Sequence, residues 1–359
     1  MKVSCYTGLR FKQLIEQKGT LIMIKLILAD VFKNVNTSFG PYEISLILTT
    51  GNKTCTQMAF ENNTSHDKLT RMLYSEPLFE ENIKILMEVI KKNIKNVSFI
   101  IDDTFIPKEY SQKIEGVWLL KDGSGGNFKQ GLSIVVISVK INDIIFPLGF
   151  LPWIPKQLSE EKHETKIQLA IRLINKFINQ ARKFIFLIDG LYSSNEMIEY
   201  CDQHNLKYDA RIASNRIIEY DGKKTSITKC AGLKKIKNER SRTIKCIRNG
   251  LTVYITAQYF INKKNKPDVK YIISNYVAKP SEHCQSYKNR WKIEEFFRAT
   301  KQLLGLNDCQ AHSLKKQLNH VLYVMNAYFL LQINAIKLGY LCMYKYLKNL
   351  RLKKNLTFC

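Results

Sequence analysis

The sequence is short of acid. Against 56 Lys and Arg it carries 31 Asp and Glu, a formal net charge of +25 at pH 7 and a pI near 9.6 in 359 residues. An excess of that size repels itself unless a polyanion is the usual partner, so nucleic acid is the leading partner class. Paired cysteine is also missing. Cys5, Cys55, Cys201, Cys230, Cys246, Cys284, Cys309, Cys342 and Cys359 are odd in number and scattered, with no CxxC and no Cys/His pair at zinc spacing. Reduced thiols in a cytosol are expected. The N-terminus lacks the basic-then-apolar pattern of a signal peptide. The run Leu21 to Phe32 is broken by Lys25 and Asp30, too short to span a bilayer, and reads as a core helix. The longer run Val321 to Tyr344 would place Asn326, Gln332, Asn334 and Lys337 at membrane depth, so it reads as a packed terminal helix. His66, His163, His204, His283, His312 and His320 form no metal-like pair. The Gly123, Gly125, Gly126 cluster lacks the Lys-Ser/Thr ending of a nucleotide loop and is assigned to a turn. No internal repeat, long low-complexity tract or coiled-coil heptad is present.

What is present suffices for a folded protein. Hydrophobic residues make up 45% and aromatics 11%, with a mean hydropathy of -0.21, enough apolar surface to offset chain entropy in one large or two modest domains. Residues 1–95 read as a helical N-terminal domain. Apolar spacing runs through Leu9 to Ile24 and Glu43 to Leu48, then through a helix near Thr64 to Leu73 that Thr64 or Ser65 can cap. The outer face of that helix shows Lys68 and Arg71, which suits a short DNA reader as well as a solvated surface.

From about residue 97 the period becomes that of strands. Val97 to Ile101 ends in Asp102, Asp103 and Thr104; Gly131 to Ile141 and Ile144 to Phe150 follow, joined by a tight Asn142-Asp143 turn. A helix from about Glu160 to Arg182 leads into Phe184 to Ile188, an apolar run that fits a central strand and stops at Asp189 and Gly190. A helix from Ser194 to Gln203 and a strand from Tyr208 to Ala213 complete a β-β-β-α-β-α-β order over residues 96–216. Residues 217–277 read as a β-rich basic insertion. Thr243 to Ile247 and Thr252 to Tyr259 flank Asn249-Gly250, and Val269 to Tyr276 follows. Asp221 to Gly250 carries ten Lys or Arg against two acids, a surface that phosphates can follow. Residues 278–320 and 321–359 return to helix. Trp118 and Trp291 are read as packing anchors ahead of base stackers, with stacking by Trp291, at the border of the active face, the minor alternative.

Acids at the ends of neighbouring buried strands, Asp102 or Asp103 and Asp189, suit a divalent metal site, because hard oxygen ligands must converge from rigid elements. The helix after the insertion adds a third. At about 100° per residue, Tyr287, Arg290, Glu294, Arg298 and Lys301 fall within an arc of roughly 80°, with Ile293, Phe296, Phe297, Leu303 and Leu304 opposite. An acid among bases can be a helical ion-pair ladder, yet a site for metal and phosphate together needs both signs at close quarters.

At these residues the sequence resembles the DDE transposases of bacterial insertion sequences, in the group marked by Tyr, two residues, Arg, three residues, Glu, six residues, Lys. Tyr287, Arg290, Glu294 and Lys301 match that spacing; Asp102-x-Thr104 with Pro107 and Lys108, and Asp189-Gly190 with Tyr192 and Ser193, agree with the other two blocks. The resemblance covers about residues 98–320. It implies an α/β fold with a ribonuclease-H-like mixed sheet flanked by helices and interrupted by the insertion. It implies that Asp102, Asp189 and Glu294 bind two Mg²⁺ ions, or Mn²⁺ in their place, with Asp103 a competitor for Asp102. Arg290 and Lys301 would then contact phosphates and Tyr287 would position the strand. It further implies metal-dependent cleavage at terminal inverted repeats, joining of the 3′ hydroxyl to target DNA, a homodimer, and a cytoplasmic, nucleoid-associated protein without a membrane partner. A DNA-binding regulator without catalysis and a ribonuclease-H-like nuclease are the competing readings.

Overall fold

The computed structural model describes residues 29, 32, 37–91, 96–109, 113–121, 127–159, 163–340 and 342–357. The expected helix at Leu9 to Ile24, most of the run Leu21 to Phe32 and the Gly123 to Gly126 turn lie outside them. The chain divides into two units, Lys95–Ala299 and a second formed by Met1–Ile94 with Thr300–Cys359.

The first unit is built on β1 (Val97–Pro107), β2 (Trp118–Lys121), β3 (Phe128–Ile141), β4 (Ile144–Trp153), β5 (Ile185–Ile188) and β6 (Lys207–Ile212). β3 lies between β1 and β4, antiparallel to both, and is buried from Gly131 to Ile141, a mostly apolar run that also buries Ser133, Ser138 and Lys140. β5 pairs parallel with β1 on one side and with β6 on the other. The helix Lys166–Ala181, held at its start by a capping box between Thr165 and Gln168, packs on β3 and β4. It does so through Leu169, Ala170, Leu173 and Ile174, which recur at helical spacing.

β7 (Ile217–Tyr220), β8 (Lys223–Ser226), β9 (Ser241–Arg248), β10 (Leu251–Ile261) and β11 (Pro267–Ser274) form the basic segment. They do not stand apart from the core sheet. β11 pairs antiparallel with β6, so among the described residues one eleven-stranded sheet runs β2-β3-β1-β5-β6-β11-β10-β9-β7-β8, with β4 beside β3. The β9–β10 turn has Asn249 at φ 50° and Gly250 at φ 78°, the left-handed pair that a two-residue hairpin turn demands. Where β6 meets β11, the fully buried Asp209 accepts hydrogen bonds from Ser274 Oγ (2.5 Å), His283 Nδ1 (2.8 Å) and Tyr276 Oη (2.7 Å). These anchor the helix Pro280–Lys288 on the sheet.

The second unit joins what the sequence reading separated, residues 1–95 and residues 321–359. The helix Leu314–Lys337 is buried on nearly every side, packed by the N-terminal helices Pro41–Leu48 and Phe79–Lys91 and by the last helix, Met343–Thr357. Its polar residues are satisfied by that packing. Asn326 Nδ2 donates to Glu43 Oε1 (2.8 Å), Asn326 Oδ1 accepts from Asn82 (3.1 Å), Asn334 donates to the Thr37 carbonyl (3.0 Å), and Gln332 to Tyr328 Oη (2.8 Å). Among the described residues no helix is long and apolar enough to cross a membrane. In the helix His66–Met72, Ser65 supplies the N-cap and Lys68 and Arg71 are exposed.

Candidate active site

The last parallel pair between β1 and β5 is Ile101 with Ile188. The next residue of each segment is an acid, Asp102 still on β1 and Asp189 at the start of the turn after β5, so the two acids follow the same parallel pair. β1 does not end there, as the sequence suggested. It continues to Pro107 against β3, while β5 turns away into the short 3-10 helix Gly190–Tyr192. The sheet thus opens at its carboxyl edge beside the two acids, the usual place for a site in such folds.

The third acid arrives on a broken helix. Pro280–Lys288 and Lys292–Leu303 are joined by a 3-10 turn, Asn289–Trp291, so Tyr287 and Glu294 do not share one continuous helix. Arg290 sits in that turn and binds all three acids. One guanidinium nitrogen donates to Asp102 Oδ2 at 2.7 Å, another to Glu294 Oε1 at 2.6 Å, and Nε lies 3.6 Å from Asp189 Oδ1. The guanidinium lies over the Tyr287 ring, 5.9 Å from its centroid.

Asp103 faces the other way, since neighbours on a strand point to opposite faces. Its carboxylate accepts from Lys166 Nζ at 2.5 Å and from Tyr192 Oη at 3.1 Å. Arg298 is exposed on the Glu294 helix, and Lys301 is half-buried on the last turn of that helix. Ile293, Phe296, Phe297 and Leu304 are buried, as the apolar face requires. Trp291 is 52% exposed and Trp118 38% exposed, so neither is the packing anchor expected of it. At 100° per residue Trp291 falls beside Arg298 at the border of the polar face, which agrees with its exposure, and Trp118 lies on the edge strand β2.

The site is more anionic than Arg290 can neutralise. Burial pushes the Asp102 carboxyl up to about 7; the Asp189 and Asp103 charges push the same way, and the Arg290 charge and the Asp103 N–H oppose them. Burial by itself lowers Arg290, yet Asp102, Tyr287, Asp189 and Glu294 outweigh it and hold the guanidinium above its ordinary range. Tyr287 is raised by burial and by Asp189, against Arg290 and Arg211.

A family model described as the transposase DDE domain matches residues 95–330. The chain belongs to that family. Membership makes it a transposase in general terms, a DNA-binding enzyme from a family that generally uses divalent metal. No curated protein matches the chain significantly. The matched span contains Asp102, Asp189 and Glu294 and stops short of the last helix, Met343–Thr357.

The donor set fits the metal that this transposase family uses. Three carboxylates supply hard oxygens, and one guanidinium among them leaves net negative charge. Among the described residues no three His, Cys, Asp or Glu side chains are spaced to hold an ion as they stand. Arg290 joins the three acids instead. Sequence reasoning missed Tyr192, Lys166 and Arg211 as members of this neighbourhood. Tyr192 lay in a quoted block without a role, and Lys166 and Arg211 lie on elements whose nearness to the acids only the sheet order reveals.

Proposed function

We propose that the chain is an insertion-sequence transposase with a ribonuclease-H-like catalytic domain. In this reading it cleaves DNA at the terminal inverted repeats of its element and joins the freed 3′ hydroxyl to target DNA. The observation that carries the reading is the convergence of Asp102, Asp189 and Glu294, from two register-matched strand positions and one helix, on a single cation. The sheet order supports the fold assignment. Three antiparallel strands, β4-β3-β1, continue into the parallel pair β5-β6. The full spacing of Tyr287, Arg290, Glu294 and Lys301 supports the subgroup.

In this mechanism Asp102, Asp189 and Glu294 would hold Mg²⁺, or Mn²⁺ in its place. A two-ion site supplies a hydroxide nucleophile at neutral pH and stabilises the leaving 3′ oxygen. The protein's own part is positioning and charge. Arg290, freed from the carboxylates, is a planar fork suited to a phosphate, and the Tyr287 ring beneath it sets its direction. Arg298 and Lys301 extend the positive face along the same helix, and the basic strands β8 and β9 lengthen the track. Lys68 and Arg71 add a separate contact from the N-terminal helices. Because the 3′ hydroxyl attacks in line within the same site, strand transfer needs neither a covalent enzyme intermediate nor ATP. Two ends joined in concert call for a homodimer, and a DNA substrate places the protein at the nucleoid.

The deciding experiment is cleavage of end-labelled DNA carrying the element's own terminus, with Mg²⁺ and with chelator, comparing native protein and Glu294→Gln. Terminal nicking that needs metal and is lost in the variant, while DNA binding persists, is the expected result. Equal binding by both proteins without cutting replaces this reading with that of a DNA-binding regulator. Cutting that ignores the terminal sequence and yields no joined product points to a nuclease.

A further inference from the structure

Beyond Ile101 and Ile188 no ladder hydrogen bond ties β1 to β5, yet the two acids that follow must keep one separation if they are to share ions. A tolerance of roughly 0.5 Å is typical of working sites. On one face Arg290 bridges the gap, but the proposed reaction draws Arg290 toward phosphate. On the other face a second bridge stands, independent of Arg290. Tyr192 is fully buried and follows Asp189 by three residues. Its N–H donates to the Asp189 carbonyl (3.0 Å), and Ser193 Oγ donates to the Gly190 carbonyl (2.9 Å), which makes the turn a stiff unit. The Tyr192 hydroxyl donates across the gap to Asp103 Oδ1. The Asp103 backbone N–H in turn donates to Asp102 Oδ1 at 2.9 Å and sets the angle of that carboxylate. Lys166 Nζ closes the arrangement on Asp103 Oδ2, and the Trp153 ring lies 5.3 Å from the ammonium. With side-chain exposures of 20% and 25%, Asp103 and Lys166 are shielded enough for their pairing to matter.

We propose that Asp103 is a positioning residue for the reaction, clamping the Asp102 strand to the Asp189 turn through Tyr192 and steadied by Lys166. It is neither a ligand nor a spare for Asp102. Its carboxylate accepts from the phenol, and its amide N–H donates to the Asp102 carboxylate. The clamp needs an acid at Asp103, a hydroxyl at Tyr192 and a cation at Lys166. This inference rests on the reading of Asp102 and Asp189 as metal ligands.

The test is Mn²⁺ binding to the full-length protein without DNA, followed by electron paramagnetic resonance, for native protein, Asp103→Asn, Tyr192→Phe, Asp103→Asn/Tyr192→Phe and Asp102→Asn. Groups that orient metal ligands typically contribute about 10- to 100-fold in affinity. Asp103→Asn and Tyr192→Phe are expected to weaken Mn²⁺ binding by about that factor, with the double variant no weaker than the worse single, because both act through one bridge. DNA affinity in chelator stays native. Ile255→Ala, which truncates the buried core on β10, a strand that carries no clamp residue, separates positioning from stability. It is expected to lower the melting temperature and leave Mn²⁺ affinity unchanged. Native Mn²⁺ affinity in both single variants, or equal weakening by Ile255→Ala, overturns the proposal while leaving the active-site reading intact. A native protein that binds no Mn²⁺, or an Asp102→Asn protein that binds it normally, overturns the ligand reading and the clamp with it.

Discussion

Asp102 and Asp189 stand in register, each one residue beyond the last parallel pair of its strand. Parallel strands keep neighbouring positions level, so two acids 87 positions apart in the chain emerge side by side. The Glu294 helix then needs to deliver only one more carboxylate. Arg290 holds the three together from a turn four residues before Glu294.

Arg290→Ala removes the common partner of three carboxylates. In chelator the variant is expected to lose about 2 to 4 kcal/mol of stability, the usual cost of stranding partly buried charge. Arg290→Lys restores little, because an ammonium cannot fork to Asp102 and Glu294 together. Added Mg²⁺ raises the melting temperature of the alanine variant more than that of the native protein, since the cation common to the three acids is gone. Calorimetry with and without metal measures both effects.

The pH dependence has a definite sign. The Asp102 carboxyl is raised by burial from an ordinary 3.8 to about 7 in the folded protein. The folded state therefore holds a proton that the unfolded chain releases. The associated stability is fully present below about pH 4 and is lost as pH rises through about 7. In chelator the native melting temperature should fall between pH 5 and pH 8 relative to that of Asp102→Asn. Mn²⁺ affinity, for which the metal competes with that proton, should strengthen over the same interval. A melting-temperature difference that is flat from pH 5 to pH 8 contradicts this assignment.

Gly131 pairs with Pro107 at the end of the β1–β3 ladder. A Cβ there would collide with the Ile106 carbonyl oxygen and the Phe105 ring. Gly131→Ala is expected to cost about 1 to 3 kcal/mol through forced backbone movement. Because it displaces the strand that carries Asp102, cleavage falls more than DNA binding does. Urea unfolding paired with a binding titration separates the two.

Lys68 and Arg71 lie exposed on a helix remote in sequence from the three acids. If each contacts a phosphate, Lys68→Ala/Arg71→Ala lowers the slope of log affinity against log salt by about 2. Affinity for a terminal duplex then weakens most at low salt. A salt slope equal to native assigns both residues to the solvated surface.

Much of this was legible in the sequence because it is local. The Asn249-Gly250 hairpin follows from two residues that accept left-handed backbone, and the apolar runs of β3 and β5 follow from burial on both faces. The four-residue β2 was missed because it is too short to show a period, and its pairing with β3 is set by register rather than propensity. The union of the first and last segments was also hidden. Asn326 and Asn334 read only as costs against a membrane span until Glu43, Asn82 and Thr37 supplied their partners.

By itself the sequence determined which chemistry is present: three acid blocks in order, a basic surface, and a helix with cations spaced about Glu294. It did not decide between Asp102 and Asp103, because adjacent strand residues are chemically alike and differ only in the face they take. The tertiary structure decided the faces. The Arg290 turn meets Asp102, and the Lys166 helix and the Tyr192 turn meet Asp103, so each carboxylate receives its partners from opposite sides of one strand.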